Sequence, residues 1–212
     1  MRTRVKICGI TRPEDALAAA ASGADAIGMV FWHGSPRSVK LEEAIAIRSV
    51  LPPLVSLVAL FVDPDPSWVD AVVQAVKPDL LQFHGSESVA LCERLGHPWI
   101  KALKVGDGSD LQAQMTRYHS AAGFLLDSHD PVRIGGTGQR FDWSQAPEHA
   151  HRPLIVAGGL TPDNVGQAVA WLRPWAVDVS SGVESAPGRK DHDRIKQFVA
   201  AVRLADAGDG TR

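Results

Sequence analysis

The sequence predicts a single compact (β/α)8 TIM barrel, an α/β fold, on three observations. Short β-branched apolar runs alternate with longer Ala- and Leu-rich stretches of helical period. The alternation occurs eight times, and 212 residues shared among eight units leave roughly 26 residues each, enough for a strand, a crossover helix and their loops. No Pro/Ser/Gly-rich linker or charge run divides the chain. Strands that alternate with helices pair in parallel, because a parallel crossover needs a dozen or more residues. A doubly wound open sheet shares this rhythm, but eight is the number of units at which a barrel closes.

Each element follows in order. Val5–Cys8 is the first strand. Thr11 is placed as the N-cap of the first helix, with Pro13 in its first turn and Gly23 as its stop. Ala26–Phe31 is the second strand and Leu41–Val50 the second helix. Val55–Val62, Leu80–Phe83, Trp99–Val105, Gly123–Asp127, Leu154–Ala157 and Ala176–Val179 supply the remaining six strands. Helices are expected at Pro66–Val76, Ser86–Leu95, Ser109–Tyr118, Thr161–Leu172 and Asp191–Leu204, with a short one near Asp142–Ala146. The barrel is placed at residues 1–204. The tail Ala205–Arg212 has no apolar residue larger than Ala and is expected to fray.

Composition removes several functions. Lys and Arg total 22 against 24 Asp and Glu, a net charge of −2, and no basic cluster exists to hold a nucleic-acid backbone. No apolar run reaches the roughly 18 residues of a membrane span. The N-terminus enters a strand directly, so no leader and a cytoplasmic location are expected. Cys8 and Cys92 lie far apart with no CxxC, against a disulfide framework or a structural zinc site. Neither GxGxxG nor GxxxxGK[ST] occurs, so no dinucleotide or nucleoside triphosphate is indicated.

A barrel builds its site at the C-terminal ends of its strands. Here those ends carry Cys8-Gly9, His33 to Arg37, Asp63, His84-Gly85, Lys104, Asp127-Ser128, Gly158-Gly159 and Asp178 with Ser180-Ser181-Gly182. Cys8 reads equally as a small buried hydrophobe or as a reactive thiolate. Asp127 ends an apolar strand. It is either an acid holding a proton to donate or a carboxylate bonded to loop N–H groups. Arg37 could fork onto a carboxylate or sit on the surface, and His84 could be a polar contact or fix its loop. Gly135–Gly138, Gly158-Gly159 and Ser180–Gly182 follow adjacent strands. Such loops let N–H groups converge on a phosphate, and Ser180–Glu184 could begin the short extra helix often found there. Cys92 belongs to the core. Glu148-His-Ala-His151 has metal-ligand spacing but precedes the seventh strand, at the wrong face, and is taken as solvated; no metal is expected.

Several segments in order carry a resemblance. They are Lys6-Ile-Cys-Gly-Ile-Thr11, Gly23-Ala-Asp-Ala-Ile-Gly28, Ser35-Pro-Arg37, Gln82-Phe-His-Gly85 and Leu125-Leu-Asp127. They continue with Gly135-Gly-Thr-Gly138, Phe141-Asp-Trp143, Ala157-Gly-Gly-Leu160, Asn164-Val165 and Val177 to Glu184, with Gly188 and Lys190-Asp191. Together they resemble the phosphoribosylanthranilate isomerase family of tryptophan biosynthesis from about residue 4 to residue 204. Phe83, Ala59 and Ser38 depart from the family pattern at positions without an assigned role.

The resemblance implies an Amadori rearrangement of N-(5-phosphoribosyl)anthranilate to 1-(2-carboxyphenylamino)-1-deoxyribulose 5-phosphate, with no cofactor because the imine is the electron sink. It assigns Asp127 as general acid to the ring oxygen and Cys8, as thiolate, as general base at the sugar C2. Arg37 would pair with the anthranilate carboxylate, with His84 and Asp178 as further substrate contacts. Gly136, Gly158, Gly159, Ser181 and Gly182 would hold phosphate. The small molecule is then the partner of a monomer or homodimer, without nucleic acid or membrane.

Three rivals differ in what they need. A sugar epimerase would want a metal with paired acids and histidines at strand ends. The indole-forming synthase of the same pathway would carry further catalytic Lys and Glu residues and an N-terminal extension. A non-catalytic binding barrel would need the glycine loops but not Cys8 and Asp127 together. The related aminosugar isomerases of histidine biosynthesis use two Asp residues on a duplicated half-barrel, and no half-repeat is seen here.

Overall fold

Eight strands hydrogen-bond in chain order and close on themselves, all parallel. A computed structural model describes residues 2–128, 143–147 and 150–208. The expected Gly135–Gly138 run with Gly136, as well as Phe141, Asp142, Glu148, His149 and residues 209–212, lies outside the described residues. Strands β1 (Arg4–Cys8), β2 (Ala26–Val30), β3 (Ser56–Phe61), β4 (Leu80–Phe83), β5 (Trp99–Val105), β6 (Gly123–Ser128), β7 (Leu154–Val156) and β8 (Ala176–Val179) form the wall. Closure is made by β1 against β8, where Lys6 faces Asp178 in register.

Helices α1 (Pro13–Ser22), α2 (Leu41–Val50), α3 (Pro66–Val76), α4 (Val89–Glu93), α5 (Leu111–Arg117), α6 (Val165–Leu172) and α7 (His192–Gly208) surround it. Their starts follow local chemistry. Asp65, Ser88 and Asp110 accept from the N–H groups of Ser67, Leu91 and Ala113 and so cap α3, α4 and α5. Gly23 closes α1 in the left-handed region at φ +93°, its N–H bonded to the last carbonyls.

Alternate strand residues divide between two cores. Ile7, Ile27, Leu57, Phe61, Leu81, Phe83, Leu103 and Phe124 point outward and pack under the helices. Ile100, Ala102, Leu125, Ile155, Ala157 and Ala176 point inward and fill the lumen. The same period turns Lys6 and Cys8, Gln82, Asp127 and Asp178 inward, and all of these but Lys6 line the space at the C-terminal ends.

Four local expectations are corrected. Thr11 does not cap α1: Arg12 holds that position without a side-chain bond, and the Thr11 hydroxyl donates to the Gly188 carbonyl. Ser180–Glu184 gives only a single 3-10 turn, Ser181–Val183, followed by a two-stranded ribbon of β9 (Glu184–Ala186) and β10 (Arg189–Lys190). Residues 161–164 form a turn ahead of α6 rather than its first turn. Helix α7 continues past 204 to Gly208, because Asp206 reaches back to accept from the Thr3 N–H at 2.8 Å and its hydroxyl at 2.7 Å. Among the described residues no helix is long and apolar enough to cross a membrane.

Candidate active site

A cavity of about 690 Å³, open at its mouth, occupies the C-terminal end of the barrel. Cys8, Arg37, His84, Asp127, Gly158, Gly159, Asp178, Ser181 and Gly182 all line it. Every described residue that the sequence singles out for catalysis or binding therefore reaches one space. Val30, Trp32, Leu60 and Val62 form an apolar patch with Cys8 on the β1–β3 side. The glycine loops after β7 and β8 lie across from it. Lys104, by contrast, stands exposed outside the lining.

Asp127 is fixed from both sides. Its Oδ1 accepts from the Ser128 N–H at 2.9 Å, and its Oδ2 lies 3.1 Å from His84 Nε2. His84 Nδ1 is in turn 3.0 Å from the Gln82 side-chain nitrogen. With that amide donating, Nδ1 is the acceptor and Nε2 carries the proton toward Asp127. Gln82 Oε1 is buried with no partner among the described residues. Gln82 was legible only as part of a motif; its inward position at the end of β4, two residues before His84, is the signal that marks it.

Glycine makes room for the acid and for the loops beside it. Gly158 sits at φ +78°, and a Cβ there would meet the Ser128 nitrogen at 2.6 Å and Asp127 Oδ1 at 2.9 Å. Gly182 would drive a Cβ to 1.9 Å from the Leu160 carbonyl, so the loops after β7 and β8 touch backbone to backbone. Asn164 ties the same region together: its Oδ1 accepts from the Thr161 N–H and its amide donates to the Gly159 carbonyl, both at 2.9 Å.

Arg37 is held rather than free. Its Nε and Nη2 donate to the two oxygens of Glu184 at 2.8 and 2.7 Å. Lys190 also donates to Glu184 at 2.8 Å. Burial opposes ionisation of Glu184, but the Arg37 hydrogen bonds and the Lys190 charge outweigh it and keep the carboxyl below its usual range. Glu184 takes one edge of the guanidinium; among the described residues nothing is bonded to the edge formed by Nη1 and the second N–H of Nη2, which suits another carboxylate. The chain runs under this fork through Gly9, at φ +73°, where a Cβ would meet Arg37 Cδ at 2.5 Å. Glu184 and Lys190 were legible only as parts of motifs, with no role assigned, because they sit on the unforeseen ribbon.

Cys8 ends β1 with its thiol in the cavity. Burial pushes its pKa above the ordinary value, Asp178 adds to that rise, and Lys6 and Lys190 pull against it. Lys6 is 4% exposed and donates to Asp178 Oδ1 at 2.9 Å. Cys92, in contrast, is core as expected, its thiol pushed up to about 12 by burial first and by Glu87 next.

Fold and mouth define the class: a single (β/α)8-barrel enzyme with titratable side chains gathered at its strand ends. The comparisons narrow the class. A family described as PRAI, N-(5'phosphoribosyl)anthranilate (PRA) isomerase, matches residues 5–201. The N-(5'-phosphoribosyl)anthranilate isomerase of Pseudomonas putida (strain GB-1) is 54% identical over 202 residues, which cover 95% of this chain and 98% of that one. The crystal structure of phosphoribosyl anthranilate isomerase from Thermotoga maritima superposes with TM-score 0.87 at 41% identity, covering 95% and 99% of the two chains. A further crystal structure of such an isomerase holds reduced 1-(o-carboxyphenylamino)-1-deoxyribulose 5-phosphate; it gives TM-score 0.82 at 39% identity, again over 95% and 99%. The chain belongs to the N-(5'-phosphoribosyl)anthranilate isomerase family.

Proposed function

We infer that the chain isomerises N-(5'-phosphoribosyl)anthranilate to 1-(2-carboxyphenylamino)-1-deoxyribulose 5-phosphate, a step of tryptophan biosynthesis, by acid–base catalysis. One observation carries the reading: the lining of one cavity joins an apolar wall, the Cys8 thiol, the Asp127 carboxyl group and the glycine loops. The molecule that the reduced-product complex holds in a relative has the matching parts, a carboxylated ring, a sugar chain and a phosphate.

Asp127 gives its proton to the furanose ring oxygen. The C1–O bond breaks and the amine lone pair forms C1=N⁺. The N–H groups of Ser128 and His84 stabilise the carboxylate that Asp127 becomes, and hydrogen bonds to an ionised group contribute about 1.5–3 kcal/mol each. Cys8 as thiolate then takes the C2 proton. The C–H electron pair becomes C1=C2 and the imine pair returns to nitrogen, so no external electron sink is needed. The enolamine loses its hydroxyl proton and gains one at C1 to give the ketone. Acid and base stand on β6 and β1, separated by β7 and β8, so they address different atoms of one sugar.

The free edge of Arg37 takes the anthranilate carboxylate, with the ring against Val30, Trp32, Leu60 and Val62. His84 and Asp178 line the same space. N–H groups around Gly158, Gly159, Ser181 and Gly182 take the phosphate, with Gly136 assigned to it from the sequence alone. Purified protein given phosphoribosylanthranilate in the presence of a metal chelator and without nucleotide is expected to abolish the anthranilate-type fluorescence and yield the deoxyribulose phosphate. A different product from the same substrate would overturn the reading.

A further inference from the structure

We propose that Lys6 is the positioning cation of the general base: its ammonium, anchored by Asp178, favours the thiolate of Cys8 against the burial that opposes it, without itself reaching substrate. The proposal deepens the isomerase reading, resting on Cys8 as the base.

The geometry starts from the strand period. Lys6 and Cys8 are two apart on β1 and project to the same inward face, while Asp178 stands opposite Lys6 in register on β8. The three side chains converge beside Gly28 of β2. A Cβ on Gly28 would lie 2.9 Å from Cys8 Sγ and 3.1 Å from Lys6 Nζ, so sulfur and ammonium border the same glycine. A larger residue at position 28 would separate them. Lys6 lies below the cavity and is not part of its lining, whereas Cys8 and Asp178 are. Its place is under the base, not against the substrate.

A buried ammonium ordinarily sheds its proton. Burial pulls Lys6 that way, but Asp178 and Cys8 outweigh it, and Lys6 remains a cation. It stays one throughout the proton transfer: the thiolate gains the C2 proton and Lys6 loses none. Other charges face the thiol. Asp178 from β8 opposes its ionisation, whereas Lys190 from β10 and Arg37 from the loop after β2 favour it. Glu184 occupies Arg37 and Lys190 both, and His84 and Asp127 line the far side of the cavity. Lys6 is the cation that shares the thiol's own strand and its inward face.

This assignment separates Lys6 from Asp178 in sign, which a merely structural salt bridge would not. The test is the pH titration of Cys8 thiolate by ultraviolet absorbance and by alkylation rate, in substrate-free protein, with Cys8→Ser as blank. Cys92, pushed up to about 12, stays silent over the range. Lys6→Met is expected to move the titration toward alkaline pH by at least about 1 unit, the scale of one close opposite charge. Asp178→Asn is expected to move it the other way. If Lys6→Met does not fold, Asp178→Asn alone decides. No displacement in either folded variant, or displacement of both in the same direction, overturns the proposal. Because no substrate is used, a protein that shows these shifts but turns nothing over contradicts the isomerase reading and leaves the pairing of Lys6 with Cys8 intact.

Discussion

Cys8, the base of the proposed reaction, sits in an environment that resists its ionisation. Burial raises the thiol and the base must be deprotonated, so kcat/KM is expected still to climb as pH rises through neutrality. A flat or falling pH–rate profile there would contradict the assignment. Arg37 shows a second residue-scale device. Glu184→Gln removes the charge that fixes the guanidinium, and KM is expected to rise by about tenfold or more with a smaller change in kcat, since charge-assisted hydrogen bonds contribute about 1.5–3 kcal/mol and 1.4 kcal/mol is tenfold. Steady-state kinetics on the variant check it. Cys8 and Asp127 were legible because they are the odd residues at strand ends. Lys6 was not, because a lysine in an apolar strand looks like a solvated edge until the period of two places it beside Cys8.

At the scale of elements, strands were legible from β-branched runs and the ends of α1 from Pro13 and Gly23. The exceptions have tertiary causes. Thr11 was drawn away from its cap position by a carbonyl 177 residues later, at Gly188. The β9–β10 ribbon was invisible because three-residue and two-residue strands carry too little pattern. The tail beyond 204 is helical through Asp206, a contact no composition signals. The close passage of the loops after β7 and β8 gives a testable consequence. Gly182→Ala forces its Cβ against the Leu160 carbonyl. The variant is expected to bind inorganic phosphate or product more weakly and to melt at a lower Tm, because backbone rather than a flexible side chain must give way, measured by calorimetry.

The whole molecule rests on buried pairs outside the mouth as well. Lys101 on β5 and Glu87 before α4 pair at 3.1 Å with both side chains nearly inaccessible, and Lys101 also donates to the Phe83 and Gly85 carbonyls. Glu87 accepts from the Asp63 and Gly85 N–H groups, so the pair binds the loops after β3 and β4 to β5. Lys101→Met would leave Glu87 uncompensated and is expected to cost about 3–5 kcal/mol in urea unfolding, without displacing the Cys8 titration. Barrel closure was legible from the count of eight units, whereas this pair was not, since nothing local joins residues 87 and 101. The net charge of −2 also gains meaning at this scale. In the proposed reaction an anionic substrate would be met by one arginine edge and by backbone N–H groups, not by a basic surface.

The central claim is that Cys8 and Asp127 together isomerise phosphoribosylanthranilate. Turnover of that substrate by the purified chain, beside Cys8→Ser and Asp127→Asn, tests it most directly. The account expects rapid loss of anthranilate-type fluorescence with the unmodified protein and a kcat lower by at least about a hundredfold in each variant. No turnover by the folded unmodified chain, or ordinary turnover in either variant, would contradict it.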